Sequence, residues 1–129
     1  YPAYKRRLLV PGKPSDAAVT AFLPLPPADF QLLLILAERD LHAYGISRAV
    51  EAGQTGVRLE IGSLYRRLAR LEGQGLIEER EGSAPPDAPE SRRRYYGITQ
   101  LGRRVASAEA VRLRAVLDVA ESKKLIALR

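Results

Sequence analysis

A mainly helical α+β fold built around one small sheet is what this sequence predicts, and three observations carry the prediction. The segment "DFQLLLILAERD", starting at Asp29, is apolar almost all round, the mark of a helix buried at the centre of a small domain. A second helical stretch, residues 62–74, is greasy on one side and basic on the other, and two short strand-like segments follow it, "LIEERE" and "RRRYYGIT". A last helix, residues 100–128, carries apolar side chains over more of its girdle than docking on its own domain requires.

Taken in order, the first 27 residues hold six of the nine prolines and cannot form the interior of long helices or central strands. Between those prolines, residues 15–22 suit a short helix capped by Ser15, so residues 1–27 read as an extension that lies on the domain or partly floats. The helix from Asp29 is the hub. In "LHAYGISRAVEAGQTG", Tyr44, Ile46, Ala49 and Val50 form a weaker helical stripe, with Gly53 and Gly56 as stop and turn. "VRLEI" is short enough for a single edge strand. The basic helix at 62–74 can end at Gly75 in the left-handed conformation. "LIEERE" alternates apolar and charged residues as a strand does, and "RRRYYGIT" reads as its partner. The Pro-, Gly-, Ser- and Asp-rich "GSAPPDAPES" between them is too long for a tight hairpin turn. Thr99 can cap the last helix, and no internal repeat is evident. Helix, helix, short strand, helix, strand, loop, strand, long helix is the order of a winged helix-turn-helix with an added C-terminal helix. Residues 28–99 are expected to be the winged domain and residues 100–129 the added helix.

Composition bounds the chemistry. The 129 residues suffice for one ordinary domain with an arm or helix at each end. Without cysteine there are no disulfides, thiolate metal sites or cysteine catalysis, and His42 is the single histidine, so no metal or cofactor is expected. No apolar run approaches the roughly 20 residues that cross a bilayer, and nothing resembles a signal peptide, so no membrane partner is expected and a soluble, cytoplasmic protein is. The start at Tyr1, with no methionine anywhere, suggests a trimmed chain. A net charge of +6, from 21 Lys and Arg against 15 Asp and Glu, favours association with polyanions.

The placement of the arginines says more than their number. At 100° per residue, Ile61, Leu64, Tyr65, Leu68 and Leu71 share one side of the basic helix, while Ser63, Arg66, Arg67 and Arg70 fall within roughly 100° on the other. Such a helix fits a major groove, where the planar fork of arginine takes guanine O6 and N7 or straddles a phosphate. Ser63, in the first turn, stands where recognition helices usually approach bases. An ordinary solvated helix face would show the same pattern. Arg92, Arg93 and Arg94 enter the second strand beside a long polar loop, and a wing carrying them would meet phosphates and add salt-dependent affinity without sequence preference. Of Tyr95 and Tyr96, which alternate in facing, one is expected in the core.

"LHAYGISRAVE", "IGSLYRRLARLEGQGLIEE" and "RRRYYGITQLGRR", in that order and spacing, resemble the PadR-type transcriptional regulators, from about Asp29 to the C-terminus. The resemblance implies a dimeric repressor bound to double-stranded DNA, with the 62–74 helix in the major groove and Arg92 to Arg94 in the wing. It also implies that Tyr65, the tyrosine of the Leu-Tyr pair, reaches the DNA backbone; a core ring with a satisfied hydroxyl is the other reading. The chain departs from the pattern at Ala43, where glycine is frequent, and at Arg66, where proline is.

The apolar girdle of the last helix requires a second surface, and a two-fold dimer would set two recognition helices about one DNA turn apart. Val105, Ala108, Val111, Arg112, Ala115, Val116 and Val119 are the residues expected at that seam. Some members of the family hold small aromatic effectors against a tryptophan. This chain has no tryptophan and two phenylalanines, so an effector is conceivable but unsupported. "YKRR" at residues 4–7 suits an arm reaching DNA or a solvated end.

Two other classes of function compete. Catalysis lacks its residues, because His42 has neither a paired acid nor a nucleophile beside it and reads as a capping or packing residue, and Glu78, Glu79 and Glu81 read as a solvated edge. A winged helix can also serve as a protein–protein module within a larger assembly. Arginines clustered on both helix and wing favour DNA over that alternative, since a protein interface more often exposes aromatic or aliphatic anchors.

Overall fold

The computed structural model describes residues 15–53, 58–82 and 85–127. Six helices and three strands follow in chain order among these residues: α1 (Asp16–Thr20), α2 (Pro27–Glu38), β1 (Leu41–His42), α3 (Ala43–Ala52), α4 (Ile61–Gly73), β2 (Ile77–Arg80), α5 (Glu90–Arg93), β3 (Tyr95–Ile98) and α6 (Gln100–Ser122). The "YKRR" cluster lies outside the described residues.

Local chemistry sets most of the boundaries. The Ser15 hydroxyl accepts from the Ala18 N–H, opening α1 as expected of a capping serine. Pro27 opens α2, where a missing N–H costs nothing. His42 caps α3, its Nδ1 accepting from the Gly45 N–H at 2.8 Å. Gly75 ends α4 with φ at 78°, and the Leu76 N–H returns to the Leu71 carbonyl at 3.0 Å. Thr99 fixes the junction between sheet and α6: its hydroxyl donates to the Gly75 carbonyl at 2.6 Å and accepts from the Gly102 N–H at 3.0 Å. Gly102 is required there, because a Cβ would stand 2.0 Å from the Leu76 carbonyl oxygen.

The sheet is antiparallel with the order β1-β3-β2. Leu41 pairs with Tyr96 and His42 with Tyr95 on one edge of β3; Ile77 pairs with Ile98 and Arg80 with Tyr95 on the other. The core runs through Leu32, Leu33 and Leu36 of α2, Ile46 and Val50 of α3, Leu64, Leu68 and Leu71 of α4, then Leu76, Ile77, Tyr96 and Ile98, and closes on Val105 of α6. Residues 15–27 lie against α6: Val19 and Leu25 are buried, Asp16 pairs with Arg104 at 2.7 Å, and the Leu25 N–H donates to buried Glu109 at 2.9 Å.

Four expectations need correction. "VRLEI" is not a strand. Residues 58–60 are irregular and Ile61 already belongs to α4, while Val57 lies outside the described residues. The third strand is instead Leu41–His42, which pairs with β3 because the chain turns back after α2. Arg92 and Arg93 sit in a one-turn helix opened by Pro89, and β3 begins only at Tyr95. α6 ends at Ser122, where Lys124 takes a positive φ and the Leu125 N–H folds back to the Ala120 carbonyl. The hub helix α2 is not wholly buried, since Leu34 is exposed.

Candidate nucleic-acid interface

α3 and α4 pack on one another and on α2, the arrangement of a helix-turn-helix. Leu64, Leu68 and Leu71 anchor α4 through its apolar stripe, as the periodicity predicts, which turns Ser63, Arg66, Arg67 and Arg70 together onto one concave face. Ile61, expected on the apolar side, is exposed at the first turn. Tyr65 is half-buried against the core at the margin of that face.

The arginines of this face are not equivalent. Asp29, in the first turn of α2, is buried, and its carboxylate faces α4. Arg67 donates to Oδ1 at 2.8 Å; Arg70 donates to both oxygens, at 2.9 and 3.1 Å. A shared carboxylate thus orients two of the three arginines and cancels one of their two charges. Arg66 bonds within the face only to a neutral group, the Ser63 hydroxyl, at 3.1 Å.

The sheet end near the wing segment gathers further cations. Arg80 donates to Glu78 at 2.8 Å, Asp40 at 3.0 Å and the Ile98 carbonyl at 2.9 Å, bracing the mouth of the β2–β3 pair. Arg94 pairs with Glu79 at 3.0 Å, and Arg93 donates to the Pro86 carbonyl. Arg92 instead lies over the ring of Tyr44, 4.5 Å from its centroid. Arg48, one turn along α3, donates to the Tyr44 hydroxyl at 3.0 Å. That bond, then the charge of Arg48, holds the exposed phenol below the ordinary tyrosine range. Tyr95 packs edge-on against His42 with centroids 5.2 Å apart, and Tyr96 is the core member of the pair, its phenol pushed up by burial. Tyr44, Arg48 and Asp29 were not among the expected site residues. For the first two the signal was present, since a spacing of four places both on one face of α3.

On α6 the expected seam divides. Val105 is fully buried in the chain's own core and Ala108 packs against it, so neither lies on a free surface. Arg112 is tied to Glu109, whose carboxyl that guanidinium holds below the usual range. Val111, Val116 and Val119 are 67%, 50% and 53% exposed, which is far beyond what an isolated apolar side chain of a finished surface requires. Ala115 is exposed among them, and Phe30 of α2 joins Leu113 and Leu117 in a shallow groove alongside, edged by Arg114, Asp118 and Glu121.

Fold and face together define a winged helix-turn-helix with a cationic face on α4. Residues 32–108 match the transcriptional regulator PadR-like family, which covers more than half of the chain; the chain belongs to that family. The family is one of transcriptional regulators. The fold is similar to that of a PadR family transcription regulator from Clostridium difficile R20291, at 24% identity over 73% of this chain and 94% of that one, with a TM-score of 0.62. It is also similar to Bacillus subtilis PadR, solved in complex with operator DNA, at 20% identity over 66% of this chain and 47% of that one, with a TM-score of 0.56. In sequence it is 38% identical over 84 residues to an uncharacterised 37.1 kDa protein in transposon TN4556 of Streptomyces fradiae; the match takes in 64% of this chain and 22% of that protein. No described helix is long and apolar enough to cross a membrane.

Proposed function

We propose that the chain acts in the cytoplasm as a homodimeric repressor, seating α4 in the major groove and the wing on the flanking backbone. The observation that carries this reading is the face of α4. Ser63 and Arg66 stand at its first turns and, among the described residues, bond only to each other, while Arg67 and Arg70 are aimed by a buried carboxylate. An arginine whose guanidinium is free of carboxylates keeps its fork for a guanine edge. Arg67 and Arg70 retain exposed surface of 31% and 51% and fit phosphate contact better than base reading, since Asp29 already occupies part of each fork. On this reading Tyr65, at the margin of the same face, bonds to a phosphate. Arg93 and Arg94 belong to the wing beside them.

Dimerisation is supported by Val111, Ala115, Val116 and Val119, whose apolar surface finds no cover among the described residues. A second copy of α6 and the Phe30 groove would cover it. Occupying a promoter in this manner blocks transcription, and repression is inferred on that ground.

The test is fluorescence anisotropy with the duplex upstream of the protein's own gene and a scrambled duplex, over a salt series, paired with sedimentation at micromolar concentration. Preference for the native duplex, weakened by salt, together with a dimeric mass, supports the reading. Equal, weak affinity for both duplexes removes sequence recognition, and a monomeric mass removes the dimer.

A further inference from the structure

The hydrogen-bonded end of the sheet carries a cationic group that the reading above does not use. β1 and β3 pair His42 with Tyr95, the first residue of β3 after the wing segment, and β2 reaches its last residue, Arg80, against the same tyrosine. The start of α3 therefore lies at the end of the sheet from which the wing projects. Tyr44 stands there, partly exposed, with Arg48 of its own helix bonded to its hydroxyl and Arg92 of α5 over its ring.

Arg67, Arg70, Arg80, Arg94 and Arg112 all rest on carboxylates. Among the described residues Arg48 and Arg92 form no salt bridge, and Glu51 acts on Arg48 only through space. Two guanidiniums gathered on one exposed phenol repel each other, and the π face of the ring offsets only part of that repulsion. An anion between them would offset the rest.

The geometry points to Tyr44, Arg48 and Arg92 as a clamp for a single phosphate of the DNA backbone, a contact from α3 and the wing together that lies apart from the α4 face. This rests on the DNA-binding reading. The two guanidiniums supply charge-assisted donors, and the Tyr44 hydroxyl, which accepts from Arg48 in the free protein, turns its own hydrogen to a phosphate oxygen. The ring keeps the wing turn and α3 in a fixed relation while it does so. A phosphate contact carries no sequence information, so the clamp contributes affinity and register but no discrimination.

The experiment compares the full chain with three variants by anisotropy, using the native upstream duplex and its scrambled counterpart, with thermal melts of each variant. Arg48→Ala is expected to weaken both duplexes equally, by about tenfold near 0.05 M salt and about threefold near 0.2 M, because one phosphate contact contributes roughly 0.9 to the log–log salt slope. Tyr44→Phe keeps the ring beneath Arg92 and loses the hydroxyl, so a smaller uniform loss of about threefold is expected. Arg48→Lys retains the charge and restores most of the slope. If Arg48→Ala binds both duplexes as tightly as the parent at every salt concentration, or changes the melt without changing binding, the clamp is overturned and the α4 reading stands. If the parent protein binds neither duplex near 0.05 M salt, the DNA-binding reading itself fails and the clamp with it.

Discussion

Removing both arginines from the Asp29 carboxylate tests the central arrangement of the α4 face. The double variant Arg67→Ala with Arg70→Ala leaves a carboxylate with 3% of its side chain exposed and without either ionic partner. Breaking a buried pair from one side costs about 3–5 kcal/mol. The arginine ends are 31% and 51% exposed, so solvent already screens the pair, and the discounted expectation is about 2 kcal/mol. Domains of this kind are stable by about 5–15 kcal/mol, so the double variant folds. With a urea dependence of about 1–3 kcal/mol per molar, its unfolding midpoint falls by about 1 M. Adding Asp29→Ala to the double variant removes the stranded charge and restores more than half of the loss. The shortfall includes the few tenths of a kcal/mol by which a carboxylate in the first turn of α2 favours its helix. Urea melts of the parent, double and triple variants measure all three quantities. A triple variant no more stable than the double one would refute the reasoning, since the cost would then come from the arginines' packing and not from an orphaned carboxylate.

The remaining predictions concern separate parts of the molecule. Arg66→Ala leaves the melt unchanged and narrows the ratio between native and scrambled duplex by about tenfold or more, as loss of one base contact worth about 1–3 kcal/mol requires; anisotropy against both duplexes reads it. Gly102→Ala drives a Cβ into the Leu76 carbonyl and is expected to destabilise the fold by about 2 kcal/mol or more, visible in a thermal melt. Val111→Asp with Val119→Asp makes the protein monomeric by sedimentation while circular dichroism stays that of the parent, because neither side chain is buried within the chain. Glu109 has a depressed folded-state pKa, from Arg112 first and the Leu25 N–H after it. Its contribution is therefore full above the ordinary glutamate value of about 4.3 and is lost as pH falls through the lower folded-state value. Glu109→Gln removes that part of the acid dependence, which melts across the acid range will show.

What could be read in advance follows from the range over which each signal acts. α4 was legible because Leu64, Leu68 and Leu71 repeat at helical spacing, and its end because Gly75 alone relieves a left-handed turn. The Thr99 cap and the core position of one of the two wing tyrosines were equally local. β1 was not legible, since two residues cannot display a period of two and their pairing depends on where α2 delivers the chain. The grip of Asp29 on Arg67 and Arg70 was hidden for a related reason: the partners lie 38 and 41 positions away, and a charged residue heading an apolar helix looks like a solvated first turn. The place of Val105 in the chain's own core was not legible, because apolar periodicity shows that a position is covered but not by which chain. The turn that holds Arg92 and Arg93 had its marker in Pro89, which suits the entry to a helix as well as a loop.

The unequal tethering of the α4 arginines bears on how such a regulator acquires new targets. Altering Arg67 or Arg70 disturbs a carboxylate on which the joint between α2 and α4 depends, so those positions change only at a cost to folding. Ser63 and Arg66 bond to each other and to nothing in the core. On the proposed reading, a mutation at either alters the side chain offered to a base pair and leaves the architecture intact. Drift in target choice is thereby confined to a two-residue window on a frame that does not move, and a duplicated copy of the gene can reach a new operator through single substitutions.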